Sequence, residues 1–369
     1  MFLSSALAPE ERISLELREI YERHGYMKYR MSKFENYDLY AENRSFLPVG
    51  GIITFTDNSG SLLAMKPDVT LSIANGLPSD VPVSEKIYYS ENVFRMPQGS
   101  REYKEIMQLG VECIGDIDMF STCEVIGLAI KSMSAITDDY IMDISHIGFV
   151  AGLLYETGLE SAKRELLLEY INRKDAHDIA RLCDENIVRE DVKRALIALT
   201  EIYAPIEEAL SAAAELDVNE RTHEVLSELE NICTVLRSVG LTKKLYLDFS
   251  FADNTSYYDG VKFRGFVNGV YSAVLAGGSY GKLLKKLKKQ AGAIGFAVYL
   301  DLLAEYGRNT RDYDADTLLL YASADDAGKV MRLAEELRKS GKSVRVQKQK
   351  PDELKFAECI KAEGGMPNA

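Results

Sequence analysis

From Ile106 to Cys113 the chain alternates with a period of two. Met107, Leu109, Val111 and Cys113 fall on one face of a strand, and Gln108, Gly110 and Glu112 fall on the other. The preceding run KIYYSENVFR also reads as a strand. The cluster Pro97, Gln98, Gly99 and Ser100 between them is turn chemistry, so Lys86 to Gly115 is expected to form an antiparallel hairpin with one packed face and one polar face. At this point the polar face has two readings. Gln108 and Glu112 are either ordinary hydrogen-bonding residues of a half-solvated sheet or part of a ligand site.

At 369 residues the chain has length for about two to three domains and ample material for a core. An apolar fraction of 46% and a charged fraction of 27% are those of a soluble globular protein. No segment approaches the ~18 uninterrupted apolar residues of a membrane span. The start MFLSSALAPEERISLELREI turns acidic and amphipathic too early for a secretory signal, so the chain is expected in the cytoplasm with no membrane partner. Cys113, Cys123, Cys183, Cys233 and Cys359 are scattered, odd in number and never spaced as CxxC, which argues for reduced thiols and against a zinc site. His24, His146, His177 and His223 fall in no metal-ligand pattern, so no metal is expected.

The net charge of -13 bears on function, because phosphate contacts dominate nucleic-acid affinity and need a basic surface. The one dense basic cluster, Lys282, Lys285, Lys286, Lys288 and Lys289, is interleaved with Leu283, Leu284 and Leu287 at helical spacing, which reads as the solvated face of an amphipathic helix.

Along the chain, an amphipathic helix is expected from about Glu10 to His24, stopped by Gly25. Strands and turns continue to Gly115, a helical pattern runs to about Ile136, and YIMDISHIGF reads as a buried strand. From 161 to 240 the pattern becomes all-helical, with Val192, Leu196, Leu199 and Tyr203 on one stripe and Val225, Leu229, Ile232 and Leu236 on another. Sheet character returns with KLYLDFSFA, where Leu245, Leu247, Phe249 and Phe251 alternate against Tyr246, Asp248 and Ser250. YDGVKFRGFV and VYSAVLAGG are further strands, and AIGFAVYLDLLAEYG is a strand turning into a helix. ADTLLLYASADDAGKVMRLAEELRKSGKSVRVQKQ reads as strand, helix, strand, and PDELKFAECIKAEGGMPNA as a short helix with a glycine-rich end.

A series of segments, in order along the chain, resembles histidyl-tRNA synthetases, which are class II aminoacyl-tRNA synthetases. MKPDVTLSIAN is similar to the family's Arg-Pro-Glu/Asp-x-Thr loop at Pro67, Asp68 and Thr70. The hairpin matches the second signature motif at Phe94, Arg95, Gln108, Gly110, Glu112 and Gly115. NTSYYDGVKF resembles the histidine-specific Tyr-Tyr-Thr-Gly element at Tyr257, Tyr258, Gly260 and Phe263, while AGGSYGKLL and AIGFAV resemble the Gly-Gly-Arg-Tyr and third-motif segments. The resemblance implies an α+β fold, an antiparallel sheet flanked by helices. It divides the chain into a synthetase-like core at 1–160 and 241–312, a helical insertion at 161–240 and a truncated anticodon-binding-like α/β segment at 313–369. It implies a histidine pocket lined by Asp68, Thr70, Arg95, Gln108, Glu112, Tyr257 and Tyr258, and it implies no cofactor.

Departures from the family pattern point away from catalysis. Asp253 stands in the segment where the synthetases carry an arginine ahead of Tyr-Tyr, and Asp301-Leu302 replaces the third motif's Glu-Arg pair. Both lost guanidiniums would compensate negative charge on ATP. A synthetase-like domain with these losses, a short tail and an acidic surface resembles the family of regulatory subunits of ATP phosphoribosyltransferase. That resemblance implies a non-catalytic chain in histidine biosynthesis that forms a homodimer and partners the short-form catalytic subunit in a hetero-octamer, with histidine as feedback ligand. The alternatives are a divergent histidyl-tRNA synthetase and a tRNA-binding synthetase-like module.

Overall fold

The hairpin lies inside a nine-stranded sheet. The structure is a computed structural model that describes residues 7–47, 51–78, 84–96, 102–252, 257–304, 306, 313–322 and 327–362. The expected turn at Pro97 to Ser100 and the replacement at Asp253 lie outside these residues. The chain divides into two units, Met1–Tyr306 and Gly307–Ala369.

Across the large sheet the strands run Met27–Lys28, Glu85–Arg95, Lys104–Gly115, Gly292–Tyr299, Leu275–Ser279, Val261–Val267, Tyr140–His146, Leu245–Asp248 and Tyr203–Pro205. The five strands from Glu85–Arg95 to Val261–Val267 and the next, Tyr140–His146, are joined by antiparallel ladders. Met27–Lys28 and Leu245–Asp248 each add in parallel. Both faces of the hairpin are buried. Tyr88, Leu109, Val111 and Cys113 point into the main core with Leu17 and Tyr21 of the N-terminal helix, while Ile87, Tyr89 and Val93 join a second cluster with Tyr40, Leu71, Tyr257, Tyr280 and Leu283.

The N-terminal helix spans Pro9–Arg23, with Pro9 in its first turn, Glu10 and Glu11 beside the positive end of its dipole and Arg23 at the other end. Gly25 follows at φ +79°, a conformation that costs glycine little. Among the described residues one helix, Met119–Ile136, is long and apolar enough to cross a membrane by length and composition. In the fold it is a core helix, with Val125, Ile126, Ala129 and Met133 buried. Gly265 makes room for it, since a Cβ there would sit 2.6 Å from the Met133 sulfur.

Three expectations are corrected. The block at 161–240 is not wholly helical: five helices, Ser161–Asn172, Ala176–Glu185, Glu190–Leu199, Ile206–Ala214 and Glu220–Ser238, are interrupted by the strand Tyr203–Pro205. Tyr203 does not extend the stripe of Leu196 and Leu199, because Pro205 lacks a helical amide donor and biases Ala204 toward extended backbone. It stacks instead on Tyr246, centroids 5.4 Å apart. The strand starting at Leu245 stops at Asp248, whose carboxylate accepts from the Ser250 amide (2.9 Å) and starts a 3₁₀ turn over Phe249–Phe251. Finally, the expected C-terminal helix is a strand, Phe356–Lys361, whose half-buried Phe356, Glu358 and Ile360 alternate with exposed residues. It pairs in parallel with Ala315–Leu320, as does Val344–Gln347 on the other side, and the helix Ala327–Lys339 packs Val330 and Ala334 against Leu319.

Candidate functional site

A cavity of about 180 Å³ opens on the polar face of the hairpin, below the roughly 300–1,000 Å³ of sites that take drug-sized ligands. All seven residues nominated from the sequence, Asp68, Thr70, Arg95, Gln108, Glu112, Tyr257 and Tyr258, line it. Gln108 and Glu112 come from one strand, two positions apart on either side of Gly110. The adjacent strand Gly292–Tyr299 contributes Gly295 opposite Glu112 and Ala297 opposite Gly110, so the floor is made of residues with little or no side chain. The glycines are required. A Cβ on Gly295 would lie 1.8 Å from Glu112 Oε2, and one on Gly110 would lie 2.2 Å from the Phe296 carbonyl oxygen.

Asp68 and Thr70 are positioned by the start of the helix Val69–Gly76. Asp68 is its N-cap, accepting from the Leu71 amide at 2.8 Å, which leaves Thr70 in the first turn facing the floor. The Thr70 hydroxyl donates to Glu112 Oε1 at 2.6 Å, and the Tyr280 hydroxyl donates to Glu112 Oε2 at 2.5 Å. Each carboxylate oxygen thus receives one short hydrogen bond and keeps a lone pair. Tyr257 packs edge-on against Tyr258 (4.8 Å between centroids) and Phe46 (6.2 Å) and lies 5.8 Å from Tyr280, giving the cavity an aromatic wall.

Burial dominates the titration of Glu112. Desolvation pushes its carboxyl up to about 8 against the pull of the Thr70 and Tyr280 hydroxyls, and the neighbouring Asp68 adds to the rise. Burial also raises Asp68, opposed by the Leu71 amide and by Arg95. Glu112 is 2% exposed, and among the described residues no cationic side chain bonds it. The lining therefore holds two carboxyls against one guanidinium, with a buried amide at Gln108. Such a cavity is built for a small ligand carrying a positive charge and further hydrogen-bonding groups.

Sequence reasoning left out Tyr280, although it falls inside AGGSYGKLL, and it left out Phe46, Tyr89, Tyr299 and the floor glycines. Lys66 was also missed. It is fully buried, pairs with Glu91 at 2.9 Å, and its backbone carbonyl accepts from the Phe94 amide, tying the segment that bears Asp68 to the hairpin. In the third-motif segment, Asp301 Oδ2 accepts from the Met107 amide at 2.7 Å and Leu302 packs against the main core. Both residues are used structurally. Among the described residues, no group of three or more His, Cys, Asp or Glu side chains is arranged to hold a metal.

A family model described as histidyl-tRNA synthetase matches residues 2–303. The chain belongs to the histidyl-tRNA synthetase family. Within that family it is similar to a protein of Acetivibrio thermocellus named ATP phosphoribosyltransferase regulatory subunit, 29% identical over 339 residues that cover 89% of this chain and 81% of that protein. Among solved structures it resembles an ATP phosphoribosyltransferase regulatory subunit/histidyl-tRNA synthetase from Bacillus halodurans, with a TM-score of 0.76, 24% identity, and 97% and 95% of the two chains covered. A chain of the ATP phosphoribosyl transferase (HisG:HisZ) complex from Thermotoga maritima aligns with a TM-score of 0.62 and 18% identity, covering 79% of this chain and 97% of that one. At these identities the solved structures establish the fold, a class II aminoacyl-tRNA synthetase-like sheet flanked by helices.

Proposed function

We propose that this chain is the non-catalytic regulatory subunit of a cytoplasmic ATP phosphoribosyltransferase. It supports the activity of a short-form catalytic subunit and carries histidine feedback to it. The observation that carries the reading is the convergence of Asp68, Thr70, Arg95, Gln108, Glu112, Tyr257 and Tyr258 on one small acidic cavity. Histidine fits its chemistry: an ammonium for the buried carboxyls, a carboxylate for Arg95, and an imidazole for the tyrosine wall. The name of the Acetivibrio relative supports the same role.

The loss of synthetase chemistry rests on Asp253, where the family resemblance expects an arginine in that segment, and on Leu302, whose side chain is committed to core packing. A cavity that accepts histidine also suits a divergent histidyl-tRNA synthetase, and these two positions favour the regulatory reading over it.

Assembly tests the proposal. The small sheet of Phe34–Asn36, Leu62–Met65 and Thr54–Thr56 leaves Phe34 and Phe55 exposed on one face, with the two phenyl rings 5.1 Å apart. Contiguous exposed apolar side chains mark association surfaces, and we assign them to a two-fold homodimer contact. Light scattering of the chain alone should return twice the 41.2 kDa of one copy, and addition of a short-form catalytic subunit should shift the mass to that of a hetero-octamer. A mass unchanged by the catalytic subunit would remove the proposed partner.

A further inference from the structure

The helical insertion carries one residue that its own copy of the chain does not explain. Ile187 follows the helix Ala176–Glu185 in a Schellman turn, its amide donating to the Asp184 carbonyl at 3.2 Å and the Val188 amide to the Cys183 carbonyl at 3.0 Å. The turn holds Ile187 at φ +54°, the left-handed region that suits glycine or asparagine and crowds a β-branched side chain. Lys174 and Lys288 share this conformation, but both are unbranched, and Lys174 reaches Asp248 at 3.3 Å. The apolar contact that accompanies such a turn is made by Val188, which packs against the main core. Ile187 itself is 93% exposed. Backbone and solvent both disfavour an isoleucine here, so its use lies outside this copy of the chain.

A matching hollow lies one helix away. The helix Glu190–Leu199 begins beside Ile187 and ends at a groove of about 280 Å³, whose lining includes Ala198, Ile202, Ala209, Ala212 and Leu216. An apolar cavity of about 150 Å³ already admits a benzene ring, so the groove has room for one aliphatic side chain. Knob and groove are separated by the roughly 15 Å of a ten-residue helix. That helix buries Val192, Ala195, Leu196 and Leu199, and on its opposite side Asp191 and Arg194 are exposed in line with Ala198. Asp191 pairs with Arg189 at 2.8 Å, whereas Arg194 bonds no carboxylate among the described residues. Ile187 precedes Asp191 by four residues, and Arg194 precedes Ala198 by the same four. The stripe is therefore self-complementary. Laid antiparallel against its own copy, it sets Ile187 opposite Ala198 and Arg194 opposite Asp191, each contact occurring twice.

We propose that the helical insertion is a second docking surface for a copy of this chain: two Glu190–Leu199 helices pack antiparallel about a two-fold axis, Ile187 of each entering the groove of the other and Arg194 of each pairing with Asp191 of the other. The surface lies at the Tyr203–Pro205 end of the large sheet. The small sheet with Phe34 and Phe55 is tied through Lys66 to the Glu85–Arg95 strand, near the opposite end, so the two contacts do not compete. One anchoring side chain and one exposed ion pair per copy make a weak contact, which adds to the assembly only above micromolar concentration. It does not depend on the regulatory role, nor on what the cavity at Glu112 binds.

The experiment is analytical ultracentrifugation of the full-length chain from about 1 µM to about 1 mM, over which the mass should at least double. Ile187→Asn suits the left-handed turn and removes the knob. It should weaken the association about tenfold or more while leaving the melting temperature unchanged or higher. Ala212→Trp, which fills the groove from its exposed side, should weaken the association as much. Arg194→Asp should weaken it too, and adding Asp191→Arg should restore it, because the swapped pair is again complementary. The surface is refuted if the mass stays constant over the range, or if folded Ile187→Asn and Ala212→Trp chains associate as the wild type does. A melting temperature lowered by Ile187→Asn would also overturn it, by showing that the isoleucine is used within one copy.

Discussion

Replacing Glu112 by alanine should uncouple histidine from the assembled enzyme while leaving the assembly intact. The side chain is almost fully buried, accepts one hydroxyl on each oxygen and, among the described residues, bonds no cation, so a bound ammonium would find in it a counter-charge with lone pairs to spare. Asp68 is a poor substitute, because it already caps its helix and feels Arg95. A hydrogen bond to a charged group contributes about 1.5–3 kcal/mol, which at about 1.4 kcal/mol per decade is roughly a ten- to hundredfold loss of histidine sensitivity. Glu112→Gln keeps the shape and one acceptor but removes the charge, and should lose nearly as much. The assay is a histidine inhibition curve for the complex with a short-form catalytic subunit, with light scattering on the same samples to verify assembly. An unchanged curve in an intact complex would mean that histidine acts elsewhere, and that this cavity is an inheritance without a ligand.

Four further outcomes are expected. In the empty cavity Glu112 holds its proton up to about pH 8, so an ammonium ligand that needs the carboxylate must expel that proton. Histidine affinity should therefore rise by up to about tenfold per pH unit between pH 7 and 8 and flatten above, a slope that calorimetry should find absent in Glu112→Gln. Because the folded-state value lies above the ordinary 4.5, Glu112 favours the fold most below about pH 4.5 and loses that contribution as pH rises through about 8; thermal melts of the wild type should fall relative to Glu112→Gln over that window. Gly295→Ala should destabilise the chain by about 1–3 kcal/mol in urea unfolding, since its Cβ would lie 1.8 Å from Glu112 Oε2 and 2.5 Å from the Val111 carbonyl oxygen. The chain alone should give no histidine-dependent ATP–pyrophosphate exchange above a heat-inactivated control, and Asp253→Arg alone should not restore it while Leu302 remains.

The parts of the fold and the cavity that were legible in the sequence are those set by local periodicity. Alternation between Ile106 and Cys113 puts Gln108 and Glu112 on one side of a strand whatever surrounds it, and the in-order family segments bring Asp68, Thr70, Tyr257 and Tyr258 to the same cavity. Where the reading failed, a longer-range contact or a single residue outweighed the pattern. Tyr203 sits at helical spacing from Leu199, yet Pro205 and pairing with the Leu245–Asp248 strand make it extended. Phe249 and Phe251 continue an alternation that the Asp248 cap ends. The residues at 356–361 are short enough to fit either pattern, and only the exposed edge of Ala315–Leu320 makes them a strand. Tyr280 could have been found from its place in AGGSYGKLL. The ion pairs of Arg264 with Asp143 and Asp248 could not, because their members lie far apart in the chain.

If this chain governs a reaction performed by another, the decisive measurement is the phosphoribosyl-transfer rate of a short-form catalytic subunit alone, with this chain, and with this chain plus histidine. The catalytic subunit alone should show little activity, addition of this chain should activate it strongly, and histidine should suppress the activated rate. A catalytic subunit equally active without this chain, and equally sensitive to histidine without it, would rule out the regulatory role.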